Sequence, residues 1–379
     1  MDCKKTRVLH LINGLGCGGA EIVLSRLLGR LDPSRFSQSV ISLTSEDELG
    51  PIFKRNCEHV ELLGMTKGTA LSAIPRLVKT VRQLQPDIIQ CWMYPSNFLG
   101  GLLRPWLRPK GLVWGLHHSN LDRKVDKFST RLVARASALL SYRADKIVSC
   151  SQSGLDFHQS IGYAKSRLAF IPNGFDTEVF KHSAEARKFL REELGVAEAA
   201  LLIGTVARYH PTKGYPTLIK AARMFIQSNE NVHFVMVGRD MTSDNSELRE
   251  LIGKTNTPRR LHLLGERKDI PQIMPALDIY TSASYSEAFS LTIGEAMSCS
   301  TPCVVTDVGD SALIVGDTGL VVEPRSLDDL LGAWQHMVGI GSARRLRLGE
   351  MARQRIIEEL SLDQFVQQYA AMYDEILKR

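Results

Sequence analysis

Short apolar strands alternate with amphipathic helices along the first half of this chain, and the alternation starts afresh in the second half. In the first half, residues 8–12, 39–43, 60–63, 88–91, 112–116, 146–149 and 168–171 read as strands, with helical patterns such as 20–31 and 74–84 between them. Such alternation implies parallel sheets, because a crossover helix returns each strand to the same direction. The second set of strands is expected at 202–207, 234–237, 261–264, 279–282 and 302–306, separated by helices such as 215–227 and 291–298. The joint falls near residues 172–183, where Pro172-Asn-Gly-Phe-Asp176 breaks the periodicity. From residue 327 the pattern is largely helical, and the last helix, 362–377, follows Ser361 with Gln364 three residues on. The expected fold class is α/β, with two Rossmann-like doubly wound domains. These span 1–177 and 178–361, and helix 362–379 packs back onto the first. Ligands in open parallel sheets bind outside the carboxyl ends of the strands, so two such domains imply a cleft between those rims.

The length, 379 residues, and the 44% apolar content supply material for two cores. No apolar run approaches the roughly 18 residues of a membrane span. The opening Met-Asp-Cys-Lys-Lys-Thr-Arg leads into a strand-like run, so no signal peptide is read there. Seven cysteines are scattered without framework spacing, which argues for reduced thiols and a cytoplasmic location. Cys299 and Cys303 form the one close pair. No second ligand pair accompanies them, so they read as buried thiols rather than a zinc site. Charge is uneven: residues 1–182 hold 25 Lys/Arg against 15 Asp/Glu, whereas residues 183–379 hold 22 against 26. The basic first half is suited to an anionic partner.

Several motifs fall just after expected strands. Glu287 and Glu295 stand eight residues apart, the first ending a loop of small residues and the second inside a helix. Ser290 reads as the N-cap of that helix, leaving the amides of Leu291 and Thr292 free to meet a phosphate. Arg208 and Lys213 follow the first strand of the second set, before Gly214. A guanidinium and an ammonium there would neutralise a diphosphate leaving group. In the first half, Gly14-x-Gly16-x-x-Gly19 fits a dinucleotide fingerprint. The acid expected at the end of the next strand is missing, since Glu46 comes too late. The alternative is a glycine turn in which Gly18 and Gly19 bring backbone amides to a ligand, with Glu21 in the first turn of the helix.

Taken in order, Gly18-Gly-Ala-Glu21, Ile171-Pro-Asn-Gly-Phe-Asp176, Arg208-x4-Lys213-Gly and Glu287-x7-Glu295 resemble glycosyltransferase family 4, the retaining enzymes of GT-B fold that build bacterial cell-surface polysaccharide and lipopolysaccharide. The resemblance covers essentially the whole chain. It implies two Rossmann-like domains facing each other across a cleft, and transfer of a sugar from a nucleotide-diphosphate sugar, UDP by default, to a saccharide or lipid-linked saccharide. By it Glu295 holds the ribose, Glu287 contacts the donor sugar, and Arg208 and Lys213 bind the diphosphate with the amides of Leu291 and Thr292. The loop around Arg267 reads the base, and His117, with His118 as fallback, lies beside the reaction centre. Glu21 and Asn173 are acceptor-side candidates. The chain departs from the family where Glu287-Ala-Phe-Ser290 stands in place of Glu-Gly-Phe-Gly. It departs again at Asp307–Gly316, where Asp310 and Ser311 are candidates to replace missing contacts with the sugar.

Catalysis of this type must stabilise an oxocarbenium-like centre and a departing diphosphate. No Asp-x-Asp motif sits on the expected rim, so neither a metal nor another cofactor is expected. Residues 121–142 read as a helix in which Lys124, Lys127, Arg131 and Arg135 form a basic stripe. Val125, Phe128, Leu132, Ala136 and Leu139 form its apolar stripe. The helix either packs its apolar stripe on the sheet or meets an anionic membrane surface, placing the protein at the inner face of the cytoplasmic membrane. Nucleic acid is not an expected partner, because no recognised binding module appears. Rival readings are a nucleotide-sugar epimerase, a non-catalytic nucleotide-sugar-binding subunit and an NAD-dependent oxidoreductase.

Overall fold

The computed structural model describes residues 4–45, 48–66, 68–122, 125–253 and 260–378. The chain divides into two compact units, residues 1–174 with 362–379, and residues 175–361. Where the chain passes between them, Phe175 N–H donates to the Leu360 carbonyl at 3.0 Å, and Phe175 forms a parallel bridge with Ser361.

Unit 1 is built on a parallel sheet of β1 (Thr6–Ile12), β2 (Phe36–Ser42), β3 (His59–Leu62), β4 (Ile88–Trp92), β5 (Gly111–Leu116), β6 (Lys146–Ser149) and β7 (Leu168–Phe170). Its order is β3-β2-β1-β4-β5-β6-β7, so the direction of winding reverses between β1 and β4. Residues 8–12 of β1 and all of β4, the strands at this reversal, are buried because helices cover both faces. The connecting helices are α1 (Gly19–Arg30), α2 (Gly50–Asn56), α3 (Ala70–Leu84), α4 (Met93–Leu107), α5 (Phe128–Leu140) and α6 (Gln152–Ser160). Right-handed crossovers place α1 and α2 on one face and α3 to α6 on the other.

Unit 2 repeats the plan with β8 (Leu201–Val206), β9 (Val232–Val237), β10 (Leu261–Leu263), β11 (Ile279–Ser282), β12 (Cys303–Thr306) and β13 (Leu320–Val322). The order is β10-β9-β8-β11-β12-β13, all parallel, with the reversal between β8 and β11. Its helices are α7 (Ala184–Leu194), α8 (Tyr215–Ser228), α9 (Ser246–Ile252), α10 (Ile270–Ile273), α11 (Leu291–Ser298), α12 (Ser311–Val315), α13 (Leu327–Gly339) and α14 (Gly341–Glu359). Trp334 anchors this core: it is fully buried, meets Phe225 and Phe234 edge-on, and donates its indole N–H to Thr281 Oγ1 at 2.9 Å. The last helix, α15 (Leu362–Leu377), belongs to unit 1, where it packs on α1 and buries Phe365, Tyr369 and Tyr373.

Three details differ from the sequence reading. Strand β13 was not expected, because it is three residues long, lies at a sheet edge and keeps Val321 exposed. Helix α5 begins at Phe128 rather than near 121: the chain turns instead at Asp122, whose carbonyl accepts from the amides of Val125 and Asp126. Lys124, the first cation of the expected stripe, lies outside the described residues. The apolar stripe of α5 also turns outward, with Phe128 72%, Leu132 57% and Leu139 78% exposed, while Ala134, Ser137 and Ala138 form the buried face. The six described cysteines are free thiols, and burial pushes Cys299 and Cys303 well above the ordinary thiol range. Cys3 lies outside the described residues.

Candidate active site

In open α/β sheets the crevice opens where the winding reverses, because neighbouring loops there leave in opposite directions. In unit 2 that point lies between β8 and β11, whose exits carry Arg208–Lys213 and Ser284–Glu287. Gly214 sets the first loop. It has φ +68°, and a Cβ there would stand 1.8 Å from the Ala283 carbonyl oxygen, so only glycine lets the two loops touch. The amide of Tyr285 then donates to the Thr212 carbonyl at 2.7 Å. This contact brings Lys213 Nζ to 2.5 Å from Glu287 Oε1, and Ser284 Oγ donates to the same oxygen at 2.7 Å.

The loop carrying Glu287 is held from its other side as well. Thr306 Oγ1 at the exit of β12 donates to the Ser284 carbonyl at 2.6 Å, and the Asp310 amide donates to the Ala288 carbonyl at 3.0 Å. Gly309, with φ +57°, allows that approach: a Cβ would lie 2.3 Å from the Glu287 carbonyl oxygen. Asp310 and Ser311 are therefore packed beside the Glu287–Ala288 backbone, both nearly fully buried, and the Ser311 hydroxyl has no partner among the described residues.

Helix α11 starts at Leu291 with Ser290 as N-cap, but the Ser290 side chain makes no cap bond. Its hydroxyl instead lies 3.3 Å from Thr292 Oγ1, which also accepts from Tyr280 OH at 2.6 Å. The amides of Leu291 and Thr292 find no acceptor among the described residues, leaving the positive end of the helix open. Glu295 is buried one turn further on. Gly294, beside it, makes room for Phe175, which a Cβ at 294 would strike at 2.1 Å, and Phe175 stacks on Phe289. Phe175 thus packs against the seat of α11 within unit 2.

Arg208 leaves β8 exposed and makes no ion pair or hydrogen bond among the described residues, so its full charge is open to a ligand. Arg267 is differently placed. Its guanidinium is taken by Asp269, at 2.8 and 2.7 Å, and by Glu193 on α7, at 2.6 and 3.3 Å, which raise its pKa further. Its side chain braces the 265–269 loop rather than pointing free charge at a ligand.

In unit 1 the candidates lie on the carboxyl rim of the sheet. The loop after β1 reaches α1 through Gly18, whose φ of −84° is ordinary. The Glu21 carboxylate lies against it: a Cβ at 18 would stand 2.4 Å from Glu21 Oε2 and would displace that side chain. Gly19 is the first residue of the helix, and Glu21 is buried beneath the turn. After β5 the two histidine rings part. His117 stacks on Trp92 with centroids 5.3 Å apart, and His118 stacks on Tyr94 at 5.1 Å. His117 Nε2 and Asn173 Oδ1 are shut from solvent without a hydrogen-bond partner among the described residues.

Burial lowers the pKa of His117 to about 3 and that of His10, which accepts from Trp92 Nε1 at 3.2 Å, also to about 3. Both rings are therefore neutral near pH 7, so His117 carries no positive charge there. The unfolded chain takes up a proton at each below about pH 6.5, whereas the folded chain does not. Stability is therefore full above pH 6.5 and is lost as pH falls toward 3. Fully buried His10 alone contributes a slope of about 1.4 kcal/mol per pH unit, and His117 adds in the same direction. Urea unfolding at pH 7 and pH 5 should show a lower midpoint at pH 5; equal midpoints would contradict this reading.

Sequence reasoning missed Ser284, Thr292 Oγ1, Tyr280 and Tyr285. The Tyr285 ring lies under Arg325, whose guanidinium carbon is 3.8 Å from its centroid, and its hydroxyl pairs with Thr217 at 2.6 Å. For Tyr285 no spacing rule links partners 68 and 40 positions away, and the signal appears only once β8, β11 and β13 are placed in one sheet. Ser284 and Tyr280 meet Glu287 and Thr292 only 3 and 12 positions on, but read as ordinary loop and strand residues.

Residues 17–179 match the family model for Glycosyltransferase Family 4, and residues 200–339 match that for Glycosyl transferases group 1. EpsF of Bacillus subtilis is 23% identical over 378 residues, 95% of this chain and 93% of that protein. N,N'-diacetylbacillosaminyl-diphospho-undecaprenol alpha-1,3-N-acetylgalactosaminyltransferase of Campylobacter jejuni is 24% identical over 315 residues, 80% of each chain. Among solved structures, Anabaena HepE in complex with UDP matches with a TM-score of 0.84 at 23% identity, covering 98% of this chain and 100% of that one.

Proposed function

The chain belongs to glycosyltransferase family 4 and has the GT-B fold, and from that premise we propose that it transfers a sugar from a UDP-sugar to a hydroxyl of a lipid-linked saccharide, with retention at the anomeric carbon, in cell-surface glycan assembly. The observation that carries this reading is the juxtaposition of Lys213, Glu287 and the open start of α11 at the β8/β11 reversal. The ammonium, the Arg208 guanidinium and the Leu291 and Thr292 amides match a diphosphate. Glu287 and Glu295 match hydroxyls on either side of it, those of the donor sugar and of the ribose. The UDP complex of HepE and the undecaprenol-linked substrate in the name of the Campylobacter relative support the choice of donor and acceptor.

In the proposed step, the bond from the anomeric carbon to the diphosphate oxygen breaks and a bond to the acceptor oxygen forms on the same face. The acceptor proton passes to the departing diphosphate, so the products are a glycoside and UDP. Arg208, Lys213 and the helix start stabilise the leaving group, and Glu287 orients the sugar. His117, neutral throughout, donates or accepts a hydrogen bond on the acceptor side with Glu21 and Asn173. Because protein cations neutralise the diphosphate, transfer is proposed to proceed in EDTA without a metal ion or other cofactor. The protein is proposed to work in the cytoplasm, at the inner membrane face where a lipid-linked acceptor resides. Among the described residues no helix is long and apolar enough to cross a membrane.

The test is thermal melting with a panel of nucleotide sugars. A donor at about 100 times its Kd adds about 2.7 kcal/mol to the state that binds it, a shift of about 5–10 °C for a unit of this size. UDP-sugars should give it, and Arg208→Ala should remove most of it. No shift with any nucleotide sugar would reject the donor assignment.

A further inference from the structure

The apolar surface of helix α5 is split. Ala134, Ser137 and Ala138 are buried, with Val133 and Leu140 packed partly buried against the core, whereas Phe128, Leu132 and Leu139 project to solvent. These three lie at i, i+4 and i+11, one stripe of a helix. A helix held only by tertiary packing would turn its large side chains inward, so an exposed stripe of this kind marks a surface that meets something else. Just past the helix, Tyr142 is 61% exposed, and on the adjacent helix α4 Trp106 is 53% exposed. A trough of about 690 Å³ runs beside the stripe, lined by Leu132, Ala136, Leu139 and Ile161.

The charge around the stripe selects the partner. Residues 88–144 contain nine Lys or Arg and two acids, Asp122 and Asp126. Lys127, Arg131 and Arg135 form no ion pair among the described residues, and the Arg131 guanidinium lies 5.7 Å from the centroid of the Phe128 ring. Cations thus stand within and beside the apolar stripe, where long side chains would reach headgroups while the apolar tips enter the acyl boundary. A second copy of the same surface would set like charge against like charge.

We propose that the outer face of α5, with Phe128, Leu132 and Leu139 as apolar anchors and Lys127, Arg131 and Arg135 as headgroup ligands, docks unit 1 onto an anionic phospholipid bilayer. The surface is argued from unit 1 alone and holds whether or not the acceptor is lipid-linked.

The experiment is vesicle flotation of the full chain with phosphatidylcholine alone and with about 30% phosphatidylglycerol added. The wild type should float with the anionic vesicles and not with the neutral ones. Arg131→Glu with Arg135→Glu should weaken binding at least about tenfold. Phe128→Ser with Leu139→Ser should lose the binding that remains at raised salt, where headgroup attraction is screened. Circular dichroism and the melting shift with nucleotide sugar verify that the variants fold and keep their donor site. Equal flotation with both vesicles, or undiminished flotation of both double variants, would overturn the proposal. So would sedimentation showing a wild-type dimer that Phe128→Ser with Leu139→Ser turns into a monomer, which would assign the surface to a second copy.

Discussion

Lys213→Ala is expected to lower kcat/KM for glycosyl transfer about 100- to 1000-fold, the range seen when one preorganised group facing developing charge is removed. The ammonium is held 2.5 Å from Glu287 Oε1, at the end of the loop that Gly214 brings against Ala283, so in the proposed reaction it is positioned before a diphosphate arrives. Removing it withdraws charge from the proposed leaving-group site and takes away one partner of the half-buried Glu287 carboxylate, whose Oε1 also accepts from the Ser284 hydroxyl. Lys213→Arg should recover only part of the loss, because a planar fork does not reproduce a point charge in this space. The effect is read from initial rates over a range of donor concentration, with circular dichroism to show that the fold persists. Rates within about threefold of wild type for Lys213→Ala would remove the ammonium from the reaction.

Gly214→Ala should be the most damaging substitution for its size. Two separate penalties act there. A left-handed φ of +68° costs a non-glycine residue about 1 kcal/mol, and the new methyl would meet the Ala283 carbonyl oxygen, a backbone atom, at 1.8 Å, with the Tyr285 ring 3.0 Å away. The loops at the β8/β11 reversal must separate, breaking the Tyr285–Thr212 hydrogen bond and withdrawing Lys213 from Glu287. Loss of about 3 kcal/mol of stability is expected together with loss of transfer beyond that of Lys213→Ala. As a control, Gly195→Ala has a similar φ of +65° with no atom within 4 Å, so it should show the backbone penalty alone and keep activity.

Much of this architecture is legible in the sequence because buried parallel strands are short runs of Val, Ile and Leu between helices of different period. The signal weakens where burial weakens: Leu320-Val-Val322 is an edge strand with one exposed valine and leaves no run long enough to notice. Periodicity also shows that a helix has two faces without showing which one is inside. In α5 the choice is made by Ala134, Ser137 and Ala138, small enough for close packing, and so the conspicuous apolar stripe faces solvent. Residues of the candidate site could be singled out where the pattern depends on local spacing, as for Lys213-Gly214 and the acidic pair. It was illegible where partners come from distant strands. The sequence singles out the loop around Arg267 but not what braces it: Glu193, 74 residues earlier, pairs with the guanidinium. Ser284 and Tyr285 look like ordinary loop residues, yet they hold the Glu287 loop against Thr306 and Thr212.

The central claim is that the β8/β11 rim of unit 2 activates a nucleotide-diphosphate sugar for transfer with retention. It is tested most directly by incubating the protein with UDP-sugars and a polyprenyl-diphosphate-linked saccharide, then reading the anomeric configuration of the product by NMR. The account predicts an α-linked product from an α-configured donor, formed in the presence of EDTA and lost in Lys213→Ala. A β-linked product, or no transfer from any nucleotide sugar by protein whose fold is intact, would contradict it.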